Sequence, residues 1–295
     1  MDLNTVTAIR PARTRADLAV LGGSVAVLAG GSWLFSEPQD HLTELVDITT
    51  LGWPAVTERP DGGLSLAATC TLTEVAALTD RLDRPAAPLF RQACEALYGS
   101  FKIWHVATVG GNLCTSLPAG PMTSLAAGLD ADVLVWRAAG DDLTVPAAAF
   151  VTGDQTNVLG PGDVIRSVEV SADALGSRTA LRKIALSPLG RSGAVLVGRL
   201  APDGAFVLTV TAATVRPVQL RYPALPDRRV LAADVGDITE WFTDPHGAAD
   251  WRRSVSRLLA EQIRAELTLR PAPGPEFGRA QGTGSRRGTG PGSSP

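Results

Sequence analysis

The sequence predicts an α+β fold, in which two mixed α/β lobes are followed by an antiparallel sheet that packs against a helix. Strand-like and helix-like segments alternate through residues 1–170, which is typical of mixed layers of sheet and helix. Strand-like segments then follow one another over residues 179–213, and an amphipathic pattern over residues 248–269 predicts the covering helix. The chain is therefore divided into lobe 1 (1–57), lobe 2 (58–170), a C-terminal sheet-plus-helix domain (171–270) and a tail (271–295).

Lobe 1 is predicted to hold short strands and one short helix. The strand at residues 25–29 is apolar throughout, which favours a buried position, and it runs directly into Gly30 and Gly31. The other predicted elements are strands at residues 5–9 and 45–48 and a helix at residues 14–21.

Lobe 2 begins with a hairpin signal and a helix start. The turn Asp61-Gly62-Gly63 precedes a strand at residues 64–68. Thr71 and Glu74 have the spacing of a capping box, in which each side chain satisfies one free N–H group at the start of a helix, here running to about residue 82. A second helix is predicted at residues 87–97 and a strand at residues 130–137.

The C-terminal domain is predicted to contain strands at residues 179–186, 193–200 and 206–213, with the turn Asp203-Gly204 between the last two. The helix over residues 248–269 ends before Pro271. The tail is rich in Gly, Pro and Ser and has almost no large apolar residue, so it is expected to be disordered.

Composition excludes several classes of protein. The 295 residues carry a net charge of −3, which gives no basic footprint for nucleic acid. No apolar run reaches the roughly 18 residues that a membrane-spanning helix needs, and residues 1–10 lack the apolar core of a secretory signal. The three cysteines, Cys70, Cys94 and Cys114, are too scattered to form a disulfide framework or to ligate iron–sulfur or structural zinc. A cytoplasmic location is the expectation.

Two segments place paired glycines where a ligand could approach the backbone. The first is residues 28–34, Leu-Ala-Gly-Gly-Ser-Trp-Leu, and the second is residues 108–113, Thr-Val-Gly-Gly-Asn-Leu. Paired glycines allow successive N–H groups to converge on an anion such as a pyrophosphate. Either segment alone is more typical of a tight turn, and neither is a G-x-G-x-x-G fingerprint or a P-loop.

Taken in order, the two segments resemble the FAD-binding (medium) subunits of the molybdenum hydroxylase family, which includes carbon-monoxide dehydrogenase, xanthine dehydrogenase and aldehyde oxidoreductases. The first segment with the strand at residues 45–48 is similar to that family's first flavin loop, and residues 107–112 with 116–119 to its second. Residues 160–170, 182–192 and 244–253 resemble later parts of the same subunit, so the likeness covers residues 1 to about 270. It implies a two-lobed FAD-binding domain followed by the C-terminal domain.

The resemblance also implies the residues that contact FAD. Residues of both glycine segments would cradle the pyrophosphate and adenosine, and residues after the second would border the ribityl chain or the ring. Lys183 would place a cation near the ring, which stabilises an anionic reduced flavin. The implied contacts are Leu28, Ala29, Gly30, Gly31, Ser32, Trp33, Leu34, Tyr98, Thr108, Val109, Gly110, Gly111, Asn112, Thr115, Ser116, Ala119, Ile165 and Lys183.

Four positions depart from the family pattern. Pro121 stands where the family usually has an acidic residue, and Trp33 occupies a place that is often polar. Trp104 and His105 replace a common Arg-Asn pair. These departures put the strength of flavin binding, or the acceptor side, in question.

The expected function is that of an FAD-dependent oxidoreductase subunit, with no catalytic acid or base and no metal site of its own. By resemblance, electrons would come from the two [2Fe–2S] centres of a small subunit, after a molybdenum-cofactor large subunit has hydroxylated the substrate, and would pass to an external acceptor. One alternative is a flavin-free scaffold that retains the fold. Another is a free-standing flavin oxidoreductase, for which His105 is the sole candidate base.

Overall fold

The computed structural model describes residues 3–96, 99, 101–188 and 190–269. It shows an α+β protein with three main sheets, which confirms the predicted fold class. Tyr98 and the predicted disordered tail lie outside the described residues. The boundaries proposed between the lobes and the C-terminal domain remain predictions.

Lobe 1 contains a three-stranded parallel sheet. Its strands are β1 (Ala8–Pro11), β2 (Val25–Leu28) and β3 (Glu44–Asp47), in the order β1-β3-β2. The predicted helix at residues 14–21 is a 3₁₀ helix, Arg15–Val20, and a second one, Ile48–Leu51, follows β3. Strand β2 is half-buried and not fully buried as predicted, because it lies at an edge of the sheet and lines a cavity.

Lobe 2 is built on a five-stranded antiparallel sheet, in the order β4 (Val56–Glu58), β5 (Leu64–Ala67), β10 (Val164–Val170), β6 (Asp132–Trp136) and β7 (Leu143–Pro146). The capping box predicted at Thr71 is present: the Thr71 N–H donates to Glu74 Oε2 at 2.8 Å, and the Glu74 N–H donates to Thr71 Oγ1 at 3.3 Å. The elements in chain order are β4 (Val56–Glu58), β5 (Leu64–Ala67), α1 (Leu72–Arg81), α2 (Ala87–Ala96), α3 (Phe101–Val106), α4 (Val109–Thr115), α5 (Pro121–Gly128), β6 (Asp132–Trp136), β7 (Leu143–Pro146), α6 (Ala147–Phe150), β8 (Val151–Gly153), β9 (Thr156–Asn157) and β10 (Val164–Val170).

Helix α4 forms where the paired glycines suggest a tight turn, and helix α5 was not predicted. Thr108 is the N-cap of α4, and its Oγ1 accepts from the Gly111 N–H at 3.1 Å. Pro121 is buried at the first turn of α5, a position that needs no backbone N–H. Gly110 and Gly111 thus lie in the first turn of one helix, and Pro121 lies in the first turn of the next.

The C-terminal domain has a four-stranded antiparallel sheet covered by two helices. The predicted strands and the final helix are confirmed, while β14 and α8 were not predicted. The elements are α7 (Ala172–Leu175), β11 (Arg178–Ile184), β12 (Ala194–Leu200), β13 (Phe206–Thr211), β14 (Val218–Tyr222), α8 (Arg228–Gly236) and α9 (Ala249–Leu269).

Helix α5 joins the C-terminal sheet to lobe 2. The Ser124 and Thr211 hydroxyl oxygens lie 2.6 Å apart, and both residues are buried. Asp130, just after α5, accepts hydrogen bonds from Arg199 and from Arg221 on the sheet. Those arginines, with the Gln219 amide, hold the pKa of the Asp130 carboxyl below its usual value despite its burial. The C-terminal domain is therefore anchored to the helix that follows the second glycine segment.

Close packing of α9 on the sheet gives a first stability prediction. A Cβ on the buried Gly198 would lie 2.2 Å from Cγ2 of Ile263, which is fully buried. Gly198→Ala should therefore lower the free energy of unfolding by about 1–3 kcal/mol, measured by urea titration. In Gly236→Ala the new Cβ would have no neighbour closer than 3.6 Å, so that control should stay within about 1 kcal/mol of the parent. Equal stability of the two variants would contradict the packing argument.

Candidate functional site

A cavity of about 630 Å³ lies between lobe 1 and lobe 2, and both glycine segments line it. One wall comes from the parallel sheet and the chain that follows β2, and the other from helices α3 and α4 and the start of β10. The predicted contacts found in its lining are Ala29, Gly30, Gly31, Ser32, Trp33, Leu34, Thr108, Gly110, Gly111, Asn112, Thr115 and Ile165.

The first glycine segment forms a helix-like turn with open N–H groups. Gly31 has φ +69° and its carbonyl accepts from the Phe35 N–H at 2.9 Å. Within the described residues, the N–H groups of Ser32, Trp33 and Leu34 have no protein acceptor. Unpaired N–H groups at the start of such a turn are suited to bind an anion.

Gly30 lies where the first glycine segment contacts the chain just before the second one. A Cβ at this position would lie 1.6 Å from the carbonyl oxygen of Val106, at the end of α3. Because no side chain can fit there, Gly30 lets the backbone of lobe 1 rest directly against that of lobe 2.

The second glycine segment differs from the expectation, because its N–H groups are already paired. Those of Val109 and Gly110 donate to the carbonyls of Cys70 and Ala68, both at 2.8 Å. Those of Gly111 and Asn112 donate to the side chain and the carbonyl of Thr108, the N-cap of α4. A Cβ on Gly111 would approach only Thr108 Oγ1, at 3.0 Å, so this glycine leaves open space at the cavity surface.

Asn112 supplies a free donor where the backbone does not. Its Oδ1 accepts from the Met122 N–H at 2.9 Å, which fixes the orientation of the side-chain amide. Its Nδ2 has no acceptor among the described residues. The Thr115 hydroxyl, by contrast, donates back to the Gly111 carbonyl at 2.8 Å.

Two residues that the sequence analysis missed hold the end of α4. Asn157 Nδ2 donates at 3.0 Å both to the Cys114 carbonyl and to Ser116 Oγ. The Gln155 N–H donates to the Ser116 carbonyl at 3.0 Å, and Gln155 also lines the cavity. These contacts span about 40 residues of sequence, and no local pattern indicates them.

Several predicted contacts lie outside the cavity lining, and Tyr98 lies outside the described residues. Ser116 is buried, with its hydroxyl donating to the Leu113 carbonyl at 2.7 Å. Ala119 packs in a small core cluster with Ala96 and Val195. Val109 is buried within α4. Leu28, the last residue of β2, also stands outside the lining.

Lys183 lies outside the lining of the cavity between the lobes. Its ammonium group donates to the Glu95 carbonyl at the end of α2, and Ser192 Oγ donates to the neighbouring Ala96 carbonyl at 2.9 Å. A lysine there satisfies carbonyls that the helix leaves unpaired. Lys183 lines a separate cavity of about 390 Å³ next to the turn between β11 and β12.

The positions that depart from the family pattern have distinct surroundings. Trp33 is 40% exposed and lines the cavity between the lobes. Pro121 and Trp104 are absent from its lining, and Trp104 packs against the main core. The His105 Nδ1 lies 3.3 Å from Thr73 Oγ1 at the start of α1, so that nitrogen faces α1.

The electrostatic field in the cavity comes mainly from the dipoles of polar groups. Among the described lining residues there is no Lys or Arg, and the carboxylate of Asp163 accepts from the N–H groups of Ala138 and Gly160, both at 2.9 Å. Cys114 also lines this wall, and it is exposed. In the described part of the chain, no group of three His, Cys, Asp or Glu side chains could hold a metal ion.

This arrangement fits a flavin dinucleotide. The open N–H groups of the first turn suit a pyrophosphate, the gap at Gly111 leaves room for it, and apolar side chains offer surfaces for flat rings. The apolar lining consists of Ala26, Val27, Ala29, Trp33, Leu34, Leu42, Ile48, Ala68, Ile103, Ala107, Leu117, Val164 and Ile165.

Residues 4–172 match the family of FAD-binding domains in molybdopterin dehydrogenases. The chain belongs to this family. FAD is accordingly its cofactor, and the chain is an FAD-binding member of the molybdenum hydroxylase group of oxidoreductases. The match spans both lobes that enclose the cavity, so the flavin-free alternative is not favoured.

Solved structures share the fold of this FAD-binding protein over most of its length. CO dehydrogenase from Oligotropha carboxidovorans is 20% identical with a TM-score of 0.75, covering 90% of this chain and 99% of that one. Quinoline 2-oxidoreductase from Pseudomonas putida 86 is 19% identical with a TM-score of 0.73, covering 90% and 98%. Carbon monoxide dehydrogenase from Hydrogenophaga pseudoflava is 16% identical with a TM-score of 0.75, covering 88% and 96%.

A comparison with curated proteins gives no match. Among the helices that the structure describes in this FAD-binding protein, none combines the length and apolar character required to cross a membrane.

Proposed function

We propose that this chain is the FAD-binding electron-transfer subunit of a molybdenum hydroxylase complex. Electrons would arrive from the [2Fe–2S] centres of a small subunit, after a molybdenum-cofactor large subunit has oxidised the substrate, and would leave to an external acceptor. The family match and the cavity between the two glycine segments support this assignment. Bound FAD would supply the redox chemistry, since it can take up and release electrons.

The protein's own contribution is to bind and orient the cofactor. The N–H groups of Ser32, Trp33 and Leu34 would donate to the pyrophosphate, and Gly111 would leave room for it. The Nδ2 of Asn112 adds one further donor from the opposite wall. Trp33, half in solvent at the cavity surface, would stack on one of the flat rings.

The position of His105 does not favour a free-standing flavin oxidoreductase. Such an enzyme needs a base or nucleophile beside its ring, whereas His105 is absent from the cavity lining and its Nδ1 faces Thr73. Asp163 is held by two backbone N–H groups in a turn. The described residues also lack a metal-ligand cluster, so iron–sulfur centres and molybdenum would have to belong to partner subunits.

The absorption spectrum tests the cofactor assignment. The chain is purified alone and together with its proposed large and small partner subunits, mixed with FAD, and freed of excess FAD by gel filtration. Flavin bands at close to one FAD per chain are expected. A colourless protein in both preparations would overturn the proposal and leave a scaffold.

Turnover tests the role of the partners. Oxidation of aldehydes and nitrogen heterocycles with a dye acceptor is measured for the complex and for the FAD-loaded chain alone. Activity is expected only in the complex. Equal turnover by the isolated chain would establish the free-standing oxidoreductase instead.

A further inference from the structure

Four side chains form a cluster where the two lobes meet, which we call the Arg–Trp cluster: Arg15, Trp53, Trp136 and Arg166. Arg15 comes from the first 3₁₀ helix of lobe 1, and Trp53 lies on the link between that lobe and β4. Trp136 ends β6, and Arg166 lies in β10. Both lobes and the chain that connects them thus contribute to it.

The geometry of the cluster is that of cations over aromatic rings. The Arg166 Cζ lies 4.4 Å from the ring centroid of Trp53 and 5.7 Å from that of Trp136. The Arg15 Cζ lies 4.9 Å from the Trp136 centroid. The two indole rings meet edge to face, with centroids 5.2 Å apart and an interplanar angle of 90°. All of these separations lie within the range of favourable cation–π and aromatic contacts.

Of the two arginines in the cluster, Arg15 has an ion-pair partner among the described residues and Arg166 has none. Arg15 pairs with the Asp142 carboxylate, and its Nη1 donates to Asp142 Oδ2 at 3.1 Å. Arg166 has no carboxylate within ion-pair distance among the described residues, and Glu169 acts on it only through space. The contacts of the Arg166 guanidinium are therefore mainly the two indole rings.

A β-bulge connects Arg166 to the FAD cavity. On the pair β10–β6, Ile165 stands opposite Val135 and Ser167 stands opposite Leu134, so Arg166 is the extra residue. Its carbonyl accepts from the Ala68 N–H at 3.0 Å, and Ile165 lies in the cavity wall. A bulge bends its strand and redirects side chains locally, and such bulges are frequent beside functional sites.

We propose that Arg166 is a positioning residue for the FAD site: held against Trp53 and Trp136, it fixes lobe 1 at the separation from lobe 2 at which the cavity admits FAD. This inference rests on the proposed FAD-binding function. The cavity lies between the same two lobes that the Arg–Trp cluster joins, and a change in their separation alters the distance between its two walls.

The first test measures FAD affinity in the full chain by titration of flavin fluorescence. Arg166→Met keeps the aliphatic stem and removes the cation, and it should weaken FAD binding about fivefold to tenfold. Arg166→Lys restores a cation and should recover part of the affinity. Arg216→Met, which removes an exposed ion pair with Glu240 in the C-terminal domain, is the control and should leave the affinity unchanged.

The second test needs no FAD. Amide hydrogen exchange in the cofactor-free chain should become faster in Arg166→Met at residues 25–34 and 103–106, where the lobes meet, and stay unchanged in the C-terminal sheet. If Arg166→Met does not fold, Trp53→Phe weakens the same contact and is measured in its place.

The outcomes separate the two proposals. If the parent chain binds no FAD, the proposed function fails, and hydrogen exchange still decides whether Arg166 fixes the lobes. If exchange rises while FAD affinity stays the same, Arg166 stabilises the fold without positioning the site, and the inference is wrong. Unchanged exchange also overturns it.

Discussion

Gly111→Asp is expected to abolish FAD binding, raising the Kd at least about 100-fold. Gly111 leaves open space in the cavity wall, and a Cβ there would approach only Thr108 Oγ1 at 3.0 Å. The aspartate side chain would extend into the space proposed for the pyrophosphate. Two unit charges at about 4 Å repel by roughly 4 kcal/mol in partly buried surroundings, and no Lys or Arg in the described lining offsets this. The measurement is an FAD titration of the purified variant.

Two further variants separate charge from volume at this position. Gly111→Asn has nearly the same size as the aspartate without its charge, so it should bind FAD more weakly than the parent but more tightly than Gly111→Asp. Gly111→Ala needs only a small shift of Thr108 and should retain binding. Gly111→Asp could instead bind FAD as tightly as the parent, with an unchanged unfolding transition. In that case the second glycine segment would not be part of the FAD site.

Gly30→Ala is expected to destabilise the fold and to prevent FAD binding together. The added Cβ would lie 1.6 Å from the Val106 carbonyl oxygen, and a backbone atom cannot move aside as a flexible side chain can. The glycine segments must separate, which should cost about 3 kcal/mol or more in the free energy of unfolding. Thermal unfolding without FAD and FAD titration below the transition measure the two effects.

Gly176→Ala is the matched control for this substitution. Its new Cβ would meet no atom closer than 3.4 Å, and its backbone φ of −75° suits alanine. Parent-like stability and FAD affinity are expected. If Gly30→Ala behaved in the same way, the close approach of the lobes at Gly30 would not be a requirement for the site.

Local signals predicted much of the fold. The capping box at Thr71 and the apolar face of α9 depend only on residues a few positions apart, so the sequence contains all of the information needed. Helix α4 was missed because glycines weaken helix propensity, while the decisive contacts are tertiary. The N–H groups of Val109 and Gly110 pair with residues near the start of α1, about 40 positions earlier.

The candidate site was predictable in outline but not in the roles of its residues. Paired glycines indicated a close backbone approach, yet the sequence could not show that Gly30 faces Val106 and that Gly110 faces Ala68. Lys183 and Ser116 were assigned to the cofactor by resemblance, whereas the structure gives both of them hydrogen bonds to protein carbonyls. Asn157 was missed because its partners are 41 and 43 positions away in the sequence.

The small core of lobe 1 has a consequence for how the protein folds and exchanges its cofactor. Among the described residues, its main cluster has Ala12, Leu18, Val46 and Ile48 from the lobe itself and Val164 from β10, and Leu42 and Leu45 are also buried. So few side chains cannot bury enough apolar surface to fold autonomously. The parallel sheet therefore has to acquire its structure on a preformed second lobe, and it is the region expected to open first in the folded protein. Local opening of lobe 1 would also move one wall of the FAD cavity, so substitutions that destabilise this lobe are expected to shorten the lifetime of the bound cofactor.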